Sequence, residues 1–295
     1  MVKSAKKEPS KMENSVVAML KGTDGKELAY KALKAINARE VVSSKKKVLI
    51  KPNITIIKTA ADGVTTDPRM VEGIIEFLKD EGIRDIAVAE GGGCDVTRAY
   101  DELGFTEVAS RQNVKLIDLN REEGILKKVP NPHFVSEFWI AKPVLEYDCI
   151  ISAPKLKIHA GEWQVTLAMK NLMGLLARGK RGPIHREDRG TVDILQLLKP
   201  DLSVIDGIVG GERHELWSYP VEMDLIIAGK DCVATDAVGS AVMGFSENEI
   251  PRHIKLAQET GFGVSDLNRI KLFGDVSISE AKKDFKRTGS RWPWR

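Results

Sequence analysis

The sequence predicts an α/β protein with a mostly parallel sheet and helices on both faces, built as one domain or as two lobes around a cleft. Short apolar runs alternate along the chain with longer segments whose apolar residues recur at helical spacing. The short runs lack the polar alternation of a half-exposed strand, which indicates a sheet buried on both sides. With 295 residues, of which 42% are hydrophobic and 29% are charged, the chain can bury a sizeable core.

Seven segments are predicted as strands and three as helices. The strands are 47–51, 85–90, 114–119, 149–153, 202–206, 224–228 and 270–273, and the helices are 68–81, 164–176 and 231–243. The first helix has the clearest signals, because Asp67 precedes it as an N-cap, Pro68 takes its first position and Gly82 follows its end. The helix at 164–176 is predicted from its apolar spacing alone.

The two ends of the chain differ in composition from this central part. Residues 1–15 are polar and rich in lysine, which predicts a disordered tail, and residues 287–295 form a basic tail with Trp292 and Trp294. Residues 16–286 are predicted to form the α/β domain, and two separate lobes would span about 45–150 and 151–275. No secretory signal or membrane span is recognised, so we expect a cytoplasmic location and no membrane partner.

Positive charge is concentrated in one segment of a nearly neutral chain. The net charge at pH 7 is +3. Residues 151–190 hold eight Lys or Arg against three Asp or Glu, a net charge of +5, so the remainder carries −2. The small overall excess argues against nucleic acid as the main partner, whereas the local excess favours a small anionic molecule. A solvated cationic loop would have the same composition.

The three cysteines, Cys94, Cys149 and Cys232, are far apart in the sequence and form no C-x-x-C pair. We therefore expect no iron–sulfur cluster and no zinc ribbon held by this chain. A divalent metal bound by carboxylates is the cofactor that the composition leaves open.

Polar residues and glycines follow four of the predicted strands. Ligands of open α/β sheets bind beyond the carboxyl ends of the strands, so these residues are expected to share one cleft. The segments are Lys51-Pro52-Asn53, Glu90-Gly91-Gly92-Gly93, Lys155-Leu156-Lys157-Ile158-His159 and the loop predicted from Asp206 to His214. Each segment also has an ordinary structural explanation, as a turn, as solvated lysines or as a surface loop.

Candidate roles follow from the chemistry of these side chains. His159 is a candidate general acid or base, and Lys170 is a candidate base or nucleophile because burial among apolar residues lowers the pKa of a lysine. The candidates for binding the anion are Lys51, Asn53, Gly91, Gly92, Lys155, Lys157 and Asn171. The candidates for binding a divalent metal are Glu90, Asp206 and Glu212. Lys51, Glu90, Lys155, His159 and Asp206 are expected to line one cleft.

Seven motifs occur in order along the chain. They are LIKPN (49–53), TTDPRMVEGIIEFLKDEG (65–82), the strand that ends in Glu90-Gly91, PKLKIH (154–159), VTLAMKNLMGLL (165–176), DGIVG (206–210) and AGKDCVATDAVGSAVMG (228–244). In this order they resemble the domain of unknown function 362 family over residues 45–262. Many members of that family carry ferredoxin-like cysteine clusters, which this chain lacks. It also has Gly210-Gly211-Glu212-Arg213-His214 where the family usually shows an E-G-x-G-P-like segment, so this segment departs from the family pattern.

A more distant similarity connects the sequence to the lactate racemase family. It rests on the order of a strand, a lysine, a histidine and then a lysine on the next predicted helix. By position this similarity implies that His159 is a catalytic histidine and that Lys170 is the lysine that anchors a nickel-pincer nucleotide.

The sequence favours an enzyme that acts on a small anionic substrate, a carboxylate or a phosphate ester, through a Lys/His cleft. Alternatives remain open. The same cleft could bind a cofactor or metabolite without catalysis, or the protein could be a metal- or nucleotide-cofactor enzyme similar to lactate racemase. The tail with Trp292 and Trp294 could also dock on a partner protein, and the sequence leaves the oligomeric state open.

Overall fold

A computed structural model describes residues 14–288. For residues 162 and 186 it describes only the backbone. The strands of this part are β1 Ser15–Lys21, β2 Lys47–Pro52, β3 Asp85–Glu90, β4 Lys115–Asp118, β5 Gly124–Lys128, β6 Glu137–Ala141, β7 Cys149–Ala153, β8 Lys155–Ile158, β9 Val165–Thr166, β10 Leu202–Glu212, β11 Tyr219–Gly229 and β12 Ile270–Gly274. Its α-helices are α1 Gly25–Ala35, α2 Arg39–Val42, α3 Pro68–Asp80, α4 Val96–Glu102, α5 Phe105–Gln112, α6 Ala168–Asn171, α7 Gly182–Arg186, α8 Thr191–Leu198, α9 Cys232–Val242, α10 Arg252–Glu259 and α11 Ile278–Ala281. All seven predicted strands are present.

The central sheet has the strand order β12-β1-β11-β10-β7-β2-β3-β4. The run from β10 to β4 is parallel, β12 is parallel to β1, and β11 is antiparallel to both of its neighbours. β8 follows β7 after Pro154 and pairs with β10 and β9, while β5 and β6 form a separate two-stranded ribbon. The carboxyl ends of β2, β3 and β7 therefore meet at one edge of the sheet.

The sheet separates two hydrophobic cores. Successive residues of a strand point to opposite faces, and in β1 Ala18 belongs to one core whereas Val17 and Met19 belong to the other. Helices α1, α3, α4 and α5 contribute to the first core, and α8, α9 and α10 contribute to the second. The predicted fold class, a mostly parallel sheet with helices on both faces, is confirmed. The sheet is continuous across the boundary predicted between the two lobes.

The helix predicted at 164–176 is wrong over most of its length. Gln164 has a φ of 59°, β9 then pairs antiparallel with β8, and α6 is a single helical turn. A 3-10 helix, Leu172–Leu175, follows it. A short apolar run has the same periodicity in a buried strand and in a buried helix, so hydrogen bonding to β8 decides the outcome here.

The segment from Asp206 to Glu212 is a strand and not the predicted loop. It forms the second half of β10 and pairs with β11 on one side and β8 on the other. Its glycines permit close packing, because a Cβ atom at Gly211 would overlap the carbonyl oxygen of Gly63 and the hydroxyl group of Ser218. The chain turns only after residue 212 and re-enters the sheet in β11.

Both predicted tails, residues 1–15 and 287–295, include described residues that belong to the folded domain. Ser15 already belongs to β1, a strand that the sequence analysis missed, and Arg287 forms a bridge with Arg213 and an ion pair with Glu249 at 3.2 Å. Residues 1–13 and 289–295, including both tail tryptophans, lie outside the described residues. Within residues 14–288, no helix is long and apolar enough to cross a membrane.

Candidate functional site

A cavity of about 300 Å³ opens where β2 and β3 end. Its wall is formed by the segments after these two strands, by His159 after β8, by the α6 region, by the loop before α7 and by the turn between β10 and β11. Of the predicted site residues, Lys51, Asn53, Glu90, Gly91, Gly92, His159, Lys170 and Asn171 line this cavity. The volume is at the lower end of the range for small-molecule sites.

Lys51 and Glu90 form a buried ion pair in the cavity wall. The Lys51 Nζ–Glu90 Oε1 distance is 2.6 Å, and Nζ also donates to Asn171 Oδ1 at 3.0 Å. The Glu90 carboxylate accepts from the backbone N–H groups of Ile54 at 2.6 Å and Gly91 at 2.7 Å. Burial lowers the pKa of Lys51, although Glu90 opposes that shift. Both members of the pair thus have hydrogen-bond partners, and the pair holds the ends of β2 and β3 together.

Side-chain amides connect this ion pair to the open part of the cavity. Asn171 Nδ2 donates to the backbone carbonyl of Lys51 at 2.8 Å and to Ser152 Oγ at 3.1 Å. Two other buried atoms of the wall, Asn53 Oδ1 and Thr166 Oγ1, have no hydrogen-bond partner among the described residues. Buried polar atoms are nearly always paired in folded proteins, so these two favour a polar ligand or water in the cavity.

The one-turn helix α6 is fixed from a distant part of the chain. It has no side-chain cap of its own, and the carboxylate of Asp236 in α9 accepts from the backbone N–H groups of Ala168 at 2.7 Å and Met169 at 2.9 Å. Burial raises the pKa of Asp236 to about 8, although the two N–H donors act in the opposite direction. Asp236 thereby sets the position from which Lys170 and Asn171 reach the cavity.

Lys170 is a cation without a carboxylate partner in the described part of the chain. Its Nζ atom lies 4.9 Å from the ring centroid of Trp163 and 3.6 Å from the sulfur of Met173. Burial lowers its pKa to about 8, with Glu215 raising it and Lys51 lowering it further. A structural lysine at this depth would be expected to pair with an acid, and Lys170 instead faces the cavity.

His159 presents one ring nitrogen to the cavity as a proton acceptor. Its Nδ1 atom lies 2.6 Å from the carbonyl oxygen of Ala160, which can only accept, so the hydrogen is on Nδ1 and Nε2 carries the lone pair. Burial, followed by the charge of Lys170, lowers the pKa of His159 well below 6.5. The ring is therefore neutral at pH 7, with Nε2 at 3.5 Å from Glu215 Oε1.

Arg181 supplies the second cation of the cavity wall that lacks an acidic partner within residues 14–288. Its guanidinium donates to the backbone carbonyls of Leu176 and Gly92 and to Asn120 Oδ1, at 3.0–3.2 Å. These four hydrogen bonds leave one of its five N–H groups for a ligand. Burial lowers its pKa, and Glu90 opposes this shift. Arg181 is thus a rigidly held positive charge.

Four predicted site residues lie outside the cavity wall. Lys155 and Asp206 form a buried ion pair at 2.9 Å, and Lys157 donates to the carbonyl oxygens of Val64 and Glu215. Glu212 accepts from the backbone N–H of residue 286 at 2.8 Å. The structure therefore brings Lys51, Glu90 and His159 into one cleft, but not Lys155 and Asp206.

The three carboxylates proposed as metal ligands are not brought together. Glu90 is in the cavity wall, whereas Asp206 and Glu212 are engaged elsewhere in β10. The described residues include no group of three or more His, Cys, Asp or Glu side chains that could hold a metal ion.

The cavity wall also includes residues that the sequence did not single out, among them Arg181, Thr166 and Glu215. Arg181 lies in the basic segment 151–190, and that excess of charge was the only signal for it. Thr166 was assigned to a helix and actually lies in β9. Glu215 had no signal, since it adjoins the cavity only because the chain turns between β10 and β11.

Together the fold and the cavity define an α/β protein with a candidate ligand site at the carboxyl edge of its sheet. The chain belongs to the family described as domain of unknown function (DUF362), whose profile matches residues 48–241. This confirms the resemblance inferred from the seven motifs.

The proteins that are similar to the chain include one relative found by sequence and one solved structure. Thylakoid-associated protein sll1697 of Synechocystis sp. is 21% identical over 214 residues, which are 70% of the chain and 65% of that protein. The chain thus spans slightly less than two thirds of this relative. The lactate racemase apoprotein from Thermoanaerobacterium thermosaccharolyticum matches in structure with a TM-score of 0.41 and 12% identity, over 71% of the chain and 54% of that protein.

Proposed function

We propose that the protein is an enzyme that takes a small anionic substrate, a carboxylate or a phosphate ester, into the cavity at the ends of β2 and β3. The observation that carries this proposal is the presence of two cations in the cavity wall, Lys170 and Arg181, without acidic partners in the described part of the chain. An anion that enters the cavity would supply the missing partner.

Four polar residues of the wall have a role in substrate binding or proton transfer in this proposal. Arg181 binds the anionic group of the substrate, a role that the sequence pattern assigned to Lys155 and Lys157. His159 acts as general base through Nε2, because its Nδ1 hydrogen is committed to a backbone carbonyl. Asn53 and Thr166 offer one unpartnered polar atom each for orienting the substrate.

Thermal unfolding in the presence of anions tests the binding part of the proposal. Phosphate, sulfate and acetate are expected to raise Tm relative to chloride at equal ionic strength. An anion at a concentration of 100 times its Kd adds about 2.7 kcal/mol to the free energy of unfolding. Arg181→Met should remove the shift. Lys180→Met is the matched control, because Lys180 is exposed, adjoins Arg181 and does not line the cavity. A full shift in Arg181→Met would contradict the proposed anion site.

The variant His159→Asn separates a catalytic base from a binding contact. Neutral His159 adds no charge to the cavity, so the anion-induced rise in Tm is expected to persist in this variant while turnover is lost. Loss of the anion shift in His159→Asn would instead assign His159 to ligand binding and would support the non-catalytic alternative.

A further inference from the structure

One lysine of the cavity differs from the lysines around it. Lys51, Lys155 and Lys157 each have oxygen partners within hydrogen-bond distance. Lys170 Nζ contacts the ring of Trp163 and the sulfur of Met173, and the described residues provide no oxygen atom that accepts a hydrogen bond from it. The Lys170 amine therefore lies at the cavity surface, and its three N–H groups donate no hydrogen bond to an oxygen atom of the described residues.

The surroundings of Lys170 favour the neutral amine. Trp163 and Met173 form an apolar wall that removes water from the ammonium group without replacing the hydrogen bonds that water supplied. Burial lowers the pKa of Lys170 to about 8, so roughly a tenth of the protein carries the nucleophilic form at pH 7. An exposed lysine with an ordinary pKa of about 10.4 is almost entirely protonated at the same pH.

On the basis of the proposed function, we propose that Lys170 is a nucleophile that forms an imine with a small aldehyde or ketone carrying a carboxylate or phosphate group. Arg181 lies in the same cavity wall and binds the anionic group. The substrate class that combines both features is a short 2-oxo acid or a phosphorylated carbonyl compound. The cavity of about 300 Å³ limits this substrate to a small molecule.

The reaction is balanced without any oxidant or reductant. The lone pair of the Lys170 amine forms a bond to the carbonyl carbon, and a proton passes from nitrogen to the former carbonyl oxygen to give a carbinolamine. The hydroxyl group takes up a second proton and leaves as water, and the nitrogen lone pair forms the second C–N bond. His159 Nε2 carries the two amine protons in turn from nitrogen to oxygen, so that both leave in the water molecule and the product is the neutral imine.

Borohydride trapping tests this step directly. The full-length protein is incubated with glyoxylate or pyruvate and sodium borohydride, and intact mass and peptide mapping locate the reduced adduct. We expect one adduct on Lys170, formed at least about tenfold faster at pH 7.5 than on exposed Lys180, because burial lowers the pKa of Lys170 and favours its neutral amine. Sulfate or acetate should slow the modification of Lys170, since these anions compete for Arg181.

The variant Lys170→Arg keeps the positive charge and removes the nucleophile. It should lose the adduct and retain the anion-induced rise in Tm, whereas Lys180→Arg should retain both. An anion shift without faster modification of Lys170 than of Lys180 would overturn the imine and leave the anion site intact. Absence of any anion shift in the wild-type protein would overturn the proposed function itself.

Discussion

Replacing Lys170 by methionine is expected to raise the free energy of unfolding at pH 7. Burial lowers the pKa of Lys170 from 10.5 to about 8. One pKa unit corresponds to ~1.4 kcal/mol, so keeping this ammonium group charged costs the folded protein roughly 3 kcal/mol. The lost contact with the ring of Trp163 and the partial exposure of the side chain reduce the gain, and we expect a stabilisation of about 1–2 kcal/mol.

The gain from Lys170→Met should shrink as the pH rises. Between about pH 8 and pH 10.5 the lysine is charged in the unfolded chain and neutral in the folded protein. The unfolded state then binds more protons, so the wild-type protein gains stability with rising pH across this window, while the methionine variant gains none from this position. The difference between the two proteins is expected to fall by about 1 kcal/mol between pH 7 and pH 9.

Urea unfolding of both proteins at pH 7 and pH 9 measures these differences. Lys51→Met is the matched control, because it leaves the buried Glu90 carboxylate unpaired and should cost about 3–5 kcal/mol. If Lys170→Met is destabilised as strongly as Lys51→Met, or if its stability relative to wild type is the same at both pH values, then Lys170 is a structural lysine and the reasoning is refuted.

Three further changes test the construction of the site. Asp236→Ala leaves two buried backbone N–H groups at the start of α6 without an acceptor and should lower stability by about 2–4 kcal/mol in urea unfolding; an unchanged midpoint would show that α6 needs no cap. Gly174→Ala places a Cβ atom against the Lys51–Glu90 pair and should lower Tm and weaken anion binding, whereas Gly25→Ala, with no contact closer than 3.5 Å, should do neither. EDTA is expected to leave Tm and the anion shift unchanged, and a fall in Tm would show that a bound metal stabilises the protein.

The elements that could be predicted from the sequence are those whose local signals agree with their tertiary surroundings. The helix α3 starts at Pro68 because Asp67 caps it, with its side chain accepting from the N–H of Arg69 at 2.8 Å. The strands β2, β3 and β7 are short, largely apolar runs that are buried between two helical layers, except for the first residues of β2 and β3. The position of the candidate site at the carboxyl ends of β2 and β3 was expected from this topology alone.

The region around α6 could not be predicted because its stabilising groups come from elsewhere in the chain. Its cap is Asp236, 68 residues after Ala168 in the sequence, and the strand before it exists only because β8 offers a partner. Apolar periodicity contains neither piece of information, and it therefore predicted a single helix across both.

The sequence by itself determined the fold class, the family and several of the segments that line the cavity. It singled out Lys170 from its apolar neighbours, but it could not show that Lys51, Lys155 and Lys157, which it assigned to anion binding, have oxygen partners within the protein. Tertiary structure decided this by placing carboxylates or carbonyl oxygens beside these three lysines and leaving Lys170 beside Trp163. The physical reason is that the pKa and reactivity of a buried amine depend on the partners that folding brings within a few ångströms, and those partners lie far away in sequence.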